Sequence, residues 1–342
     1  MMIAVLSPGL LTCVQDGGRR GHGAIGVGTA GAMDPITLRL ANLLVGNDED
    51  AAALEITLLG PRLRFDEDSL VAICGADIDA RYDGVAIPGW RPVLLRAGGE
   101  LAFAATRRGA RAYLAVAGGI DLPRVLGSRC TDLNAALGPL TRALRKDDVV
   151  RCAGVAERRD GSLWRGLAST TRTRLATFTR WSLSPSPWFD HMGERPIRAV
   201  AGGHFDALDS ASQRALFGGE FRVGVDSNRV GMRLEGVPLA LREPIEIVSA
   251  GTAPGCVQLP PDGTPIALAA EAPTSGGYPL IAHVIAIDQG RLGQRRPGEF
   301  VRFAQTDLAD AQMRYLERER ALRRLSLTIA ERLRDADAHG CP

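Results

Sequence analysis

Glycine and proline set the grain of this chain. Forty glycines and 20 prolines in 342 residues break the apolar sequence into short pieces. The runs left between them cover 3–6, 54–57, 70–73, 93–95, 113–116, 245–248, 265–268 and 281–287. Runs of this length bounded by turn formers read as strands, and a chain assembled from them folds as barrels or sandwiches. The expected class is therefore mainly β, rich in β-barrels, with a minority of helix (α+β).

Three segments read as helices. Asp34-Pro35 precedes Ile36, Leu40, Leu43 and Leu44: the aspartate caps, the proline takes the first turn, and an apolar face follows. Gly46-Asn47 stops it. A shorter candidate covers 208–217. The third, within 306–337, has Leu308, Tyr315, Leu322 and Ile329 at seven-residue intervals on an otherwise charged surface. Packing on its own domain is preferred over docking a partner. The length allows about two domains. Residues 154–195 are rich in Ser, Thr, Arg and Pro and lose the apolar period. They predict a connector between a β-rich domain at 1–153 and a second one at 196–305, with the helix at 306–342.

Composition excludes several functions. The net charge of +2 does not suit a dedicated nucleic-acid binder. The N-terminus lacks a positive segment before its apolar run, so no secretory signal is expected and the predicted location is cytoplasmic. Lys146 is the sole lysine among 41 basic residues and sits in Arg-Lys-Asp-Asp. A Walker phosphate loop is thereby excluded. The six cysteines form no CxxC pair, no HExxH occurs, and no metal site is expected.

Several constellations carry hydrogen-bonding groups among flexible glycines. Gln15, Asp16 and Arg19 lie in the glycine-rich stretch after the first strand, either to grip a ligand or, more plainly, as a turn in which Asp16 caps backbone amides. Arg229 precedes Val230-Gly231 and suits a carboxylate or ureido oxygen, or a surface ion pair. Gln258 alternates with Val257 and Leu259, so it faces away from them and can read an amide or stay solvated. Thr274 and Tyr278 flank Gly276-Gly277, with His283 shortly after. Tyr278 as a core aromatic and His283 as a buried neutral imidazole are the plainer alternatives.

As an ordered set these segments resemble one family. VQDGGRRGHGAIGV, GAMDPITLRLANLLVGN, ALEITLLGPRLRF and YLAVAGGIDLPRVLGSR are similar to its N-terminal half. SNRVGMRLEG, GCVQLPPDGTPIAL, TSGGYPLIAHV and RRPGEFVRF are similar to its C-terminal half. The family is that of allophanate hydrolase subunit 2, or biotin-dependent carboxyltransferases, and the resemblance runs from about residue 3 to 303. It implies a cyclophilin-like β-barrel in the C-terminal half. It also implies ATP-dependent opening of 5-oxoproline to glutamate by a 5-oxoprolinase complex, in which this chain is the C-type component. The implied partners are an A-like protein and a B-like protein, the latter of the allophanate hydrolase subunit 1 family. Two alternatives come with the resemblance: carboxyl transfer from carboxybiotin to a urea- or amide-like nitrogen, and a non-enzymatic regulator that antagonises a kinase inhibitor. The 5-oxoprolinase reading is preferred because no carboxylase or biotin-carrier segment is fused to the chain.

On this reading the lone chain is inactive and has no covalently bound cofactor. The complex uses ATP, and biotin can arrive only on a separate carrier. One groove is expected to gather Arg229, Gln258, Thr274 and Tyr278, with Gln15, Asp16 and Arg19 as a second substrate-binding cluster. A solvent-reaching Arg229 would hold a substrate oxygen while Gln258 reads an amide, and Tyr278 or His283 would move a proton. The family's usual Asp-x-Gln-Thr reads Glu271-Ala272-Pro273-Thr274 here, so its glutamine is replaced by Pro273.

Overall fold

A computed structural model describes residues 1–153, 162–170, 175–186, 188–189 and 195–334. It divides into two compact units, each discontinuous in sequence. The first comprises 1–18, 35–191 and 321–342; the second comprises 19–34 and 192–320. The division at 191/192 falls within 154–195, but 19–34 groups with the C-terminal unit. The stretch 154–195 also carries regular structure of its own: a helix, Ser162–Thr170, and a strand that joins the first unit's sheet.

The first unit is built on a ten-stranded sheet. Its spine is the order β10 (Ala176–Phe178), β7 (Val93–Leu95), β5 (Ser69–Tyr82), β8 (Glu100–Val116), β4 (Arg62–Phe65), β1 (Met2–Ser7) and β9 (Val149–Arg151). Strands β2 (Leu11–Gln15) and β3 (Ala53–Thr57) join at β8, and β6 (Val85–Ile87) at β5. The long β5–β8 pair shifts register between Gly75 and Asp77. Gly75 takes φ 106°, and a Cβ there would meet the Arg111 carbonyl oxygen at 2.4 Å, so the close approach needs glycine. Ile3, Leu54, Ile56, Leu63, Phe65, Val71 and Leu114 are buried together; each contributes about 1.5–3 kcal/mol relative to exposure. The helix Pro35–Leu44 starts and stops where Asp34-Pro35 and Gly46 indicate.

The second unit is a closed barrel in the order β11 (Ile197–Ala201), β18 (Leu280–Val284), β15 (Cys256–Gln258), β16 (Ile266–Leu268), β13 (Gly231–Glu235), β12 (Glu220–Val223) and β19 (Phe300–Thr306). A parallel β11–β19 pairing closes it. Two sequence expectations change here. The run 245–248 forms no strand: Val248 is 90% exposed, and Glu243, Pro244 and Glu246 favour solvent over a ladder. The run 281–287 is divided between β18 and a helix, Ala286–Gly293. The chain bends at Ile285, and Val284 before the bend and Leu292 after it reach the same core. The short helix Ser210–Gly218 forms as expected, with Asp209 capping the Ser212 amide.

Asp288 anchors the helix Ala286–Gly293. It is fully buried and accepts from the Arg198 amide at 2.8 Å, from the Arg198 guanidinium at 2.8 Å and from Arg291 at 3.0 Å. Burial pushes its carboxyl up, but the hydrogen bonds from Arg198 and the charge of Arg291 outweigh this and hold it below the usual range. A depressed folded pKa gives stability that is present above the unfolded carboxylate pKa and lost as pH falls through the folded one. Denaturation midpoints should therefore fall steeply as pH drops below about 4, and Asp288→Asn should flatten that fall. An unchanged slope in Asp288→Asn would remove Asp288 as its source.

Cys13, Cys74, Cys130, Cys152 and Cys256 are buried. Burial pushes the Cys152 thiol up to about 12, leaving almost no thiolate at about pH 8. Peptide mapping after mildly alkaline iodoacetamide treatment should find Cys152 modified only when denaturant is present. Among the described residues no helix is long and apolar enough to cross a membrane.

Candidate functional site

Strand β15 carries the amide of the site. Val257 and Leu259 enter the barrel core, while Cys256 lies in a separate cluster with Leu268 and Ala272. Alternation places Gln258 on the Cys256 face, as expected. Gln258 is 5% exposed, and its Nε2 has no hydrogen-bond partner among the described residues. A buried amide donor left unmet costs about 1–3 kcal/mol. This side chain abuts Gly276, where a Cβ would sit 2.5 Å from Nε2.

Gly276 belongs to a two-stranded ribbon, β14 (Ala250–Gly251) with β17 (Ser275–Gly276). The ribbon is extended by Thr252, whose amide donates to the Thr274 carbonyl at 3.0 Å and whose hydroxyl donates to the Pro273 carbonyl at 2.5 Å. Thr274 is half-buried, and Tyr278 is exposed at the end of the loop. Gln258, Thr274 and the turn leading to Tyr278 are thus brought together.

Arg229 is placed differently from the solvent-reaching residue the sequence suggested. It is 4% exposed. Its Nε donates to Glu271 Oε1 at 2.6 Å and a terminal nitrogen donates to the Gly31 carbonyl at 2.5 Å. The Glu271 amide returns a bond to the Arg229 carbonyl at 2.8 Å. Ala30 and Gly31 both have positive φ, 50° and 87°, so the carbonyl that Arg229 holds lies in a turn costly for alanine. Arg229 therefore braces the start of the 271–278 loop and the 28–31 turn, where a Cβ on Gly28 would meet the Ala272 carbonyl oxygen at 2.9 Å. Arg19 is buried in the same unit, and its amide donates to the Thr29 carbonyl at 2.6 Å. Asp34 is also buried and accepts from Gln294 Nε2 at 2.9 Å.

His283 pairs across the strands with Cys256, and its Nδ1 lies 3.4 Å from Cys256 Sγ. Burial pushes its imidazole below the usual range, which keeps the ring neutral near pH 7. It also lines a cavity beside the C-terminal helix.

Gln15 and Asp16 belong to the first unit. Gln15 is fully buried and donates to the Thr131 carbonyl at 2.9 Å. Asp16 accepts from the Gly18 amide at 2.9 Å, the Ser128 hydroxyl at 2.6 Å and the Arg129 amide at 2.6 Å. That is the amide-capping turn anticipated as the plainer reading. Sequence reasoning did not pair Glu271 with Arg229, nor Gly276 with Gln258. Each pair is separated by many residues, and no local spacing announces it.

Comparison with known proteins now places the chain. The family described as carboxyltransferase domain, subdomain A and B, matches residues 25–305. The chain belongs to this family. It is 39% identical over 323 residues to the C-type subunit of 5-oxoprolinase from Escherichia coli K12, covering 92% of this chain and 97% of that protein. The crystal structure of TTHA0988 superposes with a TM-score of 0.73 at 33% identity, covering 89% of this chain and 55% of that one. The Kluyveromyces lactis urea amidolyase superposes with a TM-score of 0.76 at 28% identity, covering 91% of this chain but 19% of that one. The chain thus spans about half of one solved relative and a fifth of the other. These likenesses bear out the resemblance seen in the sequence and the mainly β fold with its barrel and long C-terminal helix.

Proposed function

We propose that this chain is the C-type component of an ATP-dependent 5-oxoprolinase, which opens 5-oxo-L-proline to L-glutamate together with A-like and B-like partner proteins. The observation that carries the reading is the reach of the match. The chain and its E. coli 5-oxoprolinase relative cover nearly all of each other. The urea amidolyase shares only one segment of a much longer protein.

The buried Gln258 amide suits such a substrate. Nε2 is a buried donor whose natural complement is a carbonyl oxygen. A lactam supplies one, and hydrolysis places negative charge on that oxygen in the transition state, where a desolvated donor stabilises it. Thr274 offers a second polar contact and Tyr278 a hydroxyl to move a proton. Arg229 sets the loop that holds them.

Carboxyl transfer is the second reading, favoured by the carboxyltransferase family to which the chain belongs. Lys146, the one lysine, sits in Arg-Lys-Asp-Asp and not in the Met-Lys-Met context in which biotin is typically carried, so on this reading biotin would come on another protein. Co-expression with A-like and B-like proteins should give a complex that consumes 5-oxoproline only when ATP is present, while the lone chain consumes none. A complex that ignores 5-oxoproline but carboxylates urea from carboxybiotin would replace the first reading with the second.

A further inference from the structure

The C-terminal helix Leu308–Arg334 carries its apolar repeat into two different settings. In the first unit Leu322 and Ile329 are buried, and Leu322 packs with Ile36 and Leu40. In the second unit Leu308, Tyr315 and Leu316 are 64%, 46% and 52% exposed. With Ala311 and Gln312 they fall at helical spacing on one face. That face walls a cavity of about 540 Å³. Val200 of β11, with His283 and Ile285 of the β18 strand and its end, forms the facing wall. The volume lies within the range of small-molecule sites, about 300–1,000 Å³.

The chemistry of the walls narrows the occupant. Among the described residues the lining contains no Lys, Arg, Asp or Glu. Its polar side chains are His283, Gln312 and Tyr315. The Nδ1 side of His283 is turned to the Cys256 thiol, and its Nε2 has no hydrogen-bond partner among the described residues. We propose that this cavity binds a small uncharged molecule with an apolar body and one hydrogen-bonding head, which meets His283 Nε2. A charged head would leave water for a wall holding no opposite charge, which is unfavourable. A carboxamide both donates and accepts, so it satisfies either tautomer of the neutral ring. The inference concerns a site apart from Gln258 and stands whatever reaction the complex performs.

The test titrates cyclohexanecarboxamide and cyclohexanecarboxylate into the full chain, labelled with ¹⁵N-histidine, at about pH 7.5, where the carboxylate is ionised and the ring neutral. The carboxamide should shift the His283 Nε2 resonance, and the carboxylate should bind at least about tenfold more weakly. Ala311→Trp, which fills the cavity, should abolish the shift with the melting temperature held; Leu316→Trp serves if Ala311→Trp does not fold. A His283 resonance unmoved up to the solubility of the carboxamide overturns the site, as does binding that survives both filled variants. Equal affinity for the two probes overturns the uncharged-head assignment. A resonance that moves with protein concentration alone, and no longer responds to probe, would give the cavity to a second copy of the chain and overturn the small-molecule reading.

Discussion

The Arg229→Ala chain is expected to lose about 3–5 kcal/mol of stability, whatever happens to its activity. The cause is what the substitution leaves behind. Glu271 is 4% exposed, and the substitution takes from its carboxylate, in a nearly dry site, the guanidinium 2.6 Å away. The Gly31 carbonyl loses a charged donor in the same step, and the positive-φ pair Ala30 and Gly31 loses that tether. Urea unfolding of the lone chain measures the loss without any need for the complex. Two further variants separate charge from shape. Arg229→Met combined with Glu271→Leu should recover most of the loss, because replacing both charges by apolar groups of similar volume is often neutral. Arg229→Lys should sit between, since a lysine keeps the charge but cannot fork to an acid and a carbonyl together. If Arg229→Ala unfolds at the parent's urea concentration while the complex loses activity, the arginine is a substrate ligand after all.

That reversal shows where the sequence was readable. Strand and helix identity came through wherever local rules decide the outcome. Pro35 after Asp34, Gly46 after Leu44 and the alternation around Gln258 each act within a few residues. The run 245–248 misled because its β-branched residues fit a strand, yet strand formation needs a partner and Val248 finds solvent. Arg229 misled for the opposite reason. Nothing within several residues of it is acidic apart from Asp226 and Glu235, and its partner Glu271 comes from a strand connection 42 residues later. Burial of one arginine among so many is a property of tertiary closure. The apolar period at 308–329 was visible as a single stripe, but only the structure separates its buried part from the part that borders a cavity.

Gly276→Ala is expected to cost the complex about 100-fold in activity while leaving the chain's stability within about 1 kcal/mol. The two effects separate because of what the new methyl meets. Gly276 is not in the left-handed region, so alanine brings no backbone strain there. The atom in its way is Gln258 Nε2 at 2.5 Å, the far end of a flexible side chain, with Thr252 Cγ2 at a comfortable 3.4 Å. Gln258 has no hydrogen bond from Nε2 to lose, so it swings aside cheaply. The donor then moves by about an ångström or more from the place where a carbonyl oxygen would be received, and a misplacement of that size can cost about 100-fold. Gln258→Ala should lower activity comparably, and adding Gly276→Ala to it should do little more, because both changes act on the same amide. Steady-state assays of the assembled complex with 5-oxoproline and ATP, beside urea unfolding of each chain, give the comparison. Full activity in Gly276→Ala, or losses that multiply in the double variant, would place the reacting carbonyl elsewhere in the barrel unit.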